Sequence, residues 1–248
     1  GVVSSNIWCR MKVLQWNCCN GMGTAAQIEY FQQFECDIAI LPELKESNIA
    51  PLEPSSHIWI TNNHDNTKPK GLGVLAFNGI ELTPLPRDED MEIYIPLRVT
   101  ALNLSFNLLA VWNFYSACKQ GRFKDVKGEM NGIDCLEWSA IRHYGSLLQD
   151  PALLIGDWNF GPTFSQAAFI KLCKLLSDLG VNSLYHQFND LPIDQSNHPT
   201  FKTTRKNFHH LDHIFGSSYF SESMTNLSVD SFDNVVLSDH VPLLLEVT

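Results

Sequence analysis

Leu153-Leu154-Ile155-Gly156-Asp157-Trp158-Asn159 is an apolar run that ends in a carboxylate and an amide. The run predicts a short strand, and Asp157 and Asn159 emerge from its end, where a sheet hands its side chains to a surface cleft. Helical patterns flank it. Before it, residues 133 to 148 set Ile133, Leu136, Ala140, Ile141, Tyr144, Leu147 and Leu148 on one helical face. After it, Thr163 with Gln166 three residues on forms a capping-box pattern. Phe169, Leu172, Leu175, Leu176 and Leu179 then make a buried stripe, and Gly180 suits a left-handed helix cap.

The alternation extends in both directions. Met11 to Trp16 reads as a first strand ending at Asn17, with Asn20-Gly21 as a turn. A helix follows over Thr24 to Phe34, and Asp37 to Leu41 is an apolar strand stopped by Pro42, which leaves Glu43 just past its end. From Leu72 to Val111 strands succeed one another, at 73–77, 93–95, 98–103 and 106–111, broken by Asn-Gly, Pro and charged turns that suggest antiparallel hairpins. Tyr185 to Asn207 reads as a long loop, and final strands lie around Leu211 to Phe215 and Val241 to Val247. Together these elements imply an α/β protein with mixed sheets whose outer faces are covered by helices.

Length and composition narrow the functional classes. The 248 residues are 44% hydrophobic and 18% charged, enough for a large core in one domain over 11–248, with residues 1–10 as an extension. A net charge of −10 argues against gripping long nucleic acid through a broad basic surface. Lys and Arg gather instead at 119–127 and in Lys202, Arg205 and Lys206, where they could face a phosphate. Seven cysteines with no C-x-x-C pair indicate neither a disulfide framework nor a zinc ribbon. No apolar run is long enough to span a membrane and no secretory pattern opens the chain, so the expectation is a cytoplasmic monomer without membrane insertion.

Five motifs stand at the strand ends: Trp16-Asn17, Leu41-Pro42-Glu43, Gly156-Asp157-Trp158-Asn159, Leu211-Asp212-His213 and Ser238-Asp239-His240. Any one two-residue spacing is expected about 0.6 times by chance, and Ser-Asp-His about 0.03 times, at ~5% usage per residue. Their chemistry is coherent as a set. Glu43 and Asp239 offer hard oxygen ligands suited to Mg²⁺ or Mn²⁺. Asp157 can orient or deprotonate a water, while the neutral amides of Asn17 and Asn159 can hydrogen-bond phosphate oxygens or hold that water. Asp212 can orient His240 through one ring nitrogen, leaving the other for substrate.

In this order the motifs resemble the endonuclease/exonuclease/phosphatase superfamily, which includes deoxyribonuclease I, exonuclease III and inositol polyphosphate phosphatases, over essentially the whole chain from Met11. Asn17 stands at the family's strand-end Asn, Glu43 at its metal-binding Glu, Gly156, Asp157 and Asn159 at its G-D-x-N, Asp212 at its strand Asp, and Ser238, Asp239 and His240 at its S-D-H. The resemblance implies a four-layer α/β sandwich of two mixed, largely antiparallel sheets flanked by helices. It also implies a metal-dependent phosphoesterase using in-line water attack, first of all a phosphodiesterase or nuclease acting on DNA, RNA or a nucleotide. A phosphomonoesterase, a phospholipid-type phosphodiesterase and a non-catalytic phosphate- or protein-binding module are the alternatives. Trp112-Asn113 occupies the place of the family's His or Tyr, so Trp112, Asn113 and Tyr115 become substrate-side candidates. Arg98 resembles a recurrent basic residue and Phe201 the aromatic near the substrate opening. The chain departs from the pattern at Pro42, where a Gln is usual, and at Cys18-Cys19.

Overall fold

The computed structural model describes residues 10–19, 21–61, 69–88, 94–113 and 140–248. Two six-stranded sheets face one another. The first runs β13 (Met224–Val229), β14 (Leu243–Val247), β1 (Met11–Gln15), β2 (Ile38–Leu44), β4 (Gly71–Ala76) and β3 (Ser56–Thr61). The second runs β5 (Glu81–Pro84), β6 (Tyr94–Thr100), β7 (Ser105–Trp112), β8 (Ala152–Asp157), β12 (Asp212–Gly216) and β9 (Asn182–Ser183). Among the described residues only β1 with β2 and β7 with β8 pair in parallel; the other ladders are antiparallel.

Side-chain parity explains the layering, because successive strand residues face opposite sides of a sheet. Val13, Ile38, Ile40 and Val74 of the first sheet pack against Leu108, Ala110, Leu153, Ile155 and Ile214 of the second. The alternate residues face outward. Leu14, Ala39 and Leu41 meet Tyr30 and Phe31 of the helix Ala25–Gln32, while Leu109, Leu154 and Phe215 meet Phe169, Leu172 and Leu176 of the helix Gln166–Asp178. The result is helix, sheet, sheet, helix: the four-layer α/β sandwich. Each fully buried aliphatic or aromatic side chain contributes about 1.5–3 kcal/mol, so this double-sided burial is the main stabilising term.

Four sequence expectations need correction. The 56–61 stretch, to which the sequence reading assigns no element, is an edge strand whose Ile58 and Ile60 pack toward the inner layer and Trp59 toward the outer one. The 93–95 and 98–103 strands are one strand, β6, running through Pro96. Pro96 is tolerated because its carbonyl, and hence its nitrogen, faces Leu85, just past the end of β5, so no ladder bond is lost. The 185–207 loop contains a helix, Leu184–Asn189, and the hairpin of β10 (Phe201–Lys202) with β11 (Phe208–His209). Thr163 does not cap its helix: its hydroxyl accepts from the His210 amide at 2.9 Å, and the helix starts after Ser165. Gly180 does adopt the left-handed conformation, at φ +79°. The 119–127 basic cluster and residues 133–139 of the expected helix lie outside the described residues.

Beneath the second sheet a run of histidines is buried in the outer layer. His213 stacks on Phe169 at 4.5 Å and on His210 at 4.9 Å, and His186 continues the stack at 6.5 Å. Burial is the first cause of depressed basicity in all three, pushing His210 down to about 3 and holding His213 well below, and His186 below, the ordinary value. Groups depressed in the fold cost stability as pH falls below the unfolded value near 6.5, because the unfolded chain then binds more protons. Asp157, whose carboxyl is raised, acts in the opposite sense over the same range and offsets one of the three. The net expectation is a stability loss of about 1–3 kcal/mol per pH unit between pH 6 and 4.5. Denaturant midpoints measured across that window should fall steeply, and His213→Phe should flatten the slope; a flat wild-type profile contradicts this account.

Candidate active site

The inner parity that buries Leu153 and Ile155 also carries Asp157, and the one that buries Ile214 carries Asp212. Both carboxylates therefore sit at the open rim of the space between the sheets. Register places them side by side, since Asp212 pairs with Asp157 across the antiparallel β12–β8 ladder. The Ser238–His240 segment leads into β14 and brings His240 over them from the first sheet.

His240 Nδ1 hydrogen-bonds Asp212 Oδ2 at 2.8 Å, and its Nε2 lies 3.9 Å from Asp157 Oδ2 and 4.0 Å from Asp239 Oδ1. Asn17 joins this group to the metal candidate: its Nδ2 donates to Asp157 Oδ2 at 2.9 Å and to Glu43 Oε1 at 3.3 Å. Asp157 Oδ1 accepts from the Asn159 amide at 3.0 Å. Asn159 Nδ2 in turn donates to the Asn113 carbonyl, and Asn113 Nδ2 to the Trp158 carbonyl. The Ser238 hydroxyl ties the last segment down by donating to the Asn17 carbonyl at 2.6 Å and accepting from the His240 amide at 3.0 Å.

Electrostatics set opposite tendencies on the two central groups. Burial and the adjacent Asp212 charge raise the Asp157 carboxyl above the usual range, against the pull of His240 and the Asn17 hydrogen bond. Burial opposes a charged His240, but Asp212, Asp157 and the Asp212 hydrogen bond outweigh it and push the imidazole up. A carboxylate of raised basicity thus stands beside an imidazolium held by a second carboxylate.

Glu43, Cys19 and Asn159 share a further property. All three have left-handed backbones, at φ +63°, +56° and +55°. For residues other than glycine this conformation is strained, and such strain collects at sites where the surrounding fold dictates side-chain direction. Beside Glu43 the Cys19 thiol is held up to about 11 by burial first, then by Asp239 and Glu43, so it stays protonated. The donors facing this spot are therefore oxygens, from Glu43 and the half-exposed Asp239, a set that fits a hard divalent cation. Asp157, Asp212 and His240 also approach within 4.8 Å of one another, spacing that could hold an ion. Within this group Asp212 and His240 already bond to each other.

No protein-family model matches the chain, and no curated protein matches it. Solved structures do. An AP endonuclease from Leishmania major superposes with a TM-score of 0.71 at 12% identity, over 96% of this chain and 87% of that one. The endonuclease domain of TRAS1, a telomere-specific non-LTR retrotransposon, gives 0.67 at 13% identity, over 96% and 98%. The 3′ phosphatase NExo from Neisseria, bound to a product DNA hairpin, gives 0.65 at 16% identity, over 96% and 99%. This is the endonuclease/exonuclease/phosphatase fold.

Within that fold the sequence candidates separate. Asn17, Glu43, Asp157, Asn159, Asp212, Asp239 and His240 converge on one rim, and Phe201 joins them, its ring 4.8 Å from that of His240. Asn113 lies at the edge of the same network. Trp112 pairs with Asp157 at the same strand end and shares its inner parity; it is 5% exposed and packs in the inter-sheet core. Arg98 sits at the far end of the sheet, opposite Asn107, which it hydrogen-bonds at 3.1 Å, whereas the site lies at the Trp112 end. Over five strand residues that separation is roughly 16 Å. Tyr115 lies outside the described residues. His210, two residues before Asp212, is buried in the histidine stack.

The same cluster also includes residues the motifs did not point to. Gln15 Nε2 donates to Asp212 Oδ1 at 2.8 Å and fixes the second carboxylate oxygen. A polar residue at an inner-parity position, after Met11 and Val13, was its sequence signal. Thr200 Oγ1 accepts from the amides of Leu211 and Asp212 at 2.9 and 3.1 Å, setting the start of β12. Lys70 donates to Glu43 Oε2 at 2.7 Å, across 27 residues of sequence that give no hint of it.

Proposed function

We propose that the chain is a divalent-metal-dependent phosphoesterase, first of all a phosphodiesterase or nuclease, whose substrate is a phosphate ester in DNA, RNA or a nucleotide. The observation that carries this reading is the Asn17 amide, which bridges Glu43 to Asp157 and so couples a hard-ligand set to a carboxylate of raised basicity. Glu43 and Asp239 would hold Mg²⁺, or Mn²⁺ in its place. A bound divalent ion supplies Lewis-acid polarisation and charge neutralisation at a phosphoryl oxygen. Asp157, oriented by Asn17 and the Asn159 amide, takes the proton of an attacking water. His240, held by Asp212, donates from Nε2 to a non-bridging oxygen as negative charge gathers in the transition state. Asn17 and Asn159 add hydrogen-bond capacity without adding charge.

The solved structures named for DNA transactions support a nucleic-acid substrate for this fold, as does one local feature of this chain. The β10–β11 hairpin lies beside His240, with the Lys202 amide on the Asp239 carbonyl at 2.8 Å, and carries Lys202, Arg205, Lys206 and the exposed ring of Phe208. On a chain of charge −10 such a local group is where phosphates can be met. Phe201 and Asn113 are the substrate-side residues of this reading. Among the described residues no helix is long and apolar enough to cross a membrane.

Glu43→Gln keeps the shape and the Asn17 hydrogen-bond acceptor but removes the ligand charge. It is expected to lower metal-dependent kcat by about 10²- to 10⁴-fold, as loss of one metal or acid–base contribution does. Steady-state rates at saturating Mg²⁺, with thermal melting to confirm folding, check this. A folded Glu43→Gln protein turning over at the wild-type rate would remove Glu43 from the site.

A further inference from the structure

Both oxygens of Glu43 are already engaged by the chain itself. Oε1 accepts from Asn17, and Oε2 accepts from the Lys70 ammonium at 2.7 Å. The same ammonium also donates to the carbonyl of Cys19. Lys70 reaches this position because it immediately precedes β4, whose Gly71 pairs with Leu44, the residue after Glu43. The ladder therefore carries the lysine to the strand end from which Glu43 projects. The two acceptors are the left-handed residues Cys19 and Glu43, so the strained backbone turns a carbonyl and a carboxylate toward one cation. Lys70 is one-third exposed, at 33%, against 22% for Glu43.

A divalent ion at Glu43 would sit a few ångströms from this ammonium. Unit charges of one sign at ~4 Å repel by about 1 kcal/mol in water and about 4 kcal/mol near a protein surface, more for a doubly charged ion, so the two cations do not share the carboxylate freely. The lysine stem is long and flexible, and its one-third exposure leaves it a path to solvent. Resting on the reading of Glu43 as a metal ligand, we propose that Lys70 is the site's internal counter-cation: it holds Glu43 in the metal-free protein and must be displaced when a divalent ion binds. It thereby weakens the protein's affinity for the ion and keeps the crowded carboxylates of Glu43, Asp157, Asp212 and Asp239 compatible with a folded, metal-free state.

The test is calorimetric titration of the metal-free protein with Mn²⁺ alone, comparing wild type with Lys70→Met, Lys70→Gln, Lys70→Arg and Glu43→Gln. Removing the competing charge in Lys70→Met and Lys70→Gln is expected to tighten Mn²⁺ binding by about tenfold, the scale of one partly exposed ion pair beside a divalent ion. Lys70→Arg, which keeps the charge, should stay near wild type, and Glu43→Gln should lose most of the binding. If both neutral variants bind Mn²⁺ as wild type does or more weakly, Lys70 is not a competitor and the proposal is overturned. A neutral variant that raises KM with metal affinity unchanged marks a substrate-binding lysine, which also overturns it. Unchanged binding in Glu43→Gln would instead remove the ligand reading beneath it, so the two failures are told apart.

Discussion

Asp157→Asn is expected to lower kcat by about 10²- to 10⁴-fold while the protein stays folded. The carboxylate is 1% exposed, stands opposite Asp212 in the β12–β8 register, and is raised in basicity by burial and by that neighbour. An amide cannot accept a proton from water, so the substitution removes the base and leaves the surrounding shape. Structurally the exchange is mild. One of the two acceptor oxygens that serve Asn17 and the Asn159 amide becomes a donor, but a buried negative charge beside Asp212 is also removed. These opposing changes are each on the order of 1–3 kcal/mol. Steady-state kinetics with thermal melting on the same preparation separate the two effects. A folded Asp157→Asn protein within threefold of the wild-type rate would remove Asp157 from the chemistry.

Gly156→Ala should act at the other end of the scale, on the fold. A Cβ at position 156 would lie 1.8 Å from the Val111 carbonyl oxygen and 2.6 Å from its carbon, both backbone atoms of the neighbouring parallel strand β7. Neither strand can yield without breaking the ladder that places Trp112 beside Asp157. The expected cost is about 3 kcal/mol or more, comparable to severe overpacking, and a Tm lower by about 10 °C in a chain of this size. Thermal melting or soluble yield checks it; a Tm within a degree or two of wild type contradicts the packing. The glycine that precedes Asp157 is thus explained by close approach of two strands, one position before the chemistry.

That pairing of packing with chemistry also explains what could be read in the sequence. Asp157 was legible because the run 153–155 is a buried strand whose end must fall near 157, and the same logic located Asn17, Glu43 and Asp212. Parity was legible too: His213 points away from Asp212 and joins the outer layer, as alternation requires. The failures lie where tertiary context overrides local pattern, one strand excepted. Ser56–Thr61 carries the strand-forming residues Ile58, Trp59, Ile60 and Thr61, so its pairing with β4 was legible and was passed over. Trp112 follows the parity of Phe106, Leu108 and Ala110 into the inner layer, where it stands beside Asp157. Arg98 lies on the right strand at the wrong end. Gln15 and Lys70 are fixed by contacts across 197 and 27 residues, which no local motif encodes. The left-handed backbone of Glu43 belongs to the same class, since glutamate does not announce a positive φ, whereas Asn159 is of a type enriched there.

The most direct test of the central claim is turnover by the purified protein on a panel of abasic duplex, single-stranded DNA, RNA, nucleotide and inositol phosphates and an aryl phosphodiester, each with Mg²⁺ and with chelator. The expected result is hydrolysis of at least one phosphate ester that requires the divalent ion, disappears with chelator, and is lost in Asp157→Asn. No metal-dependent turnover on any substrate, from a protein that melts cooperatively, would contradict the hydrolytic reading and leave a binding module on the same fold.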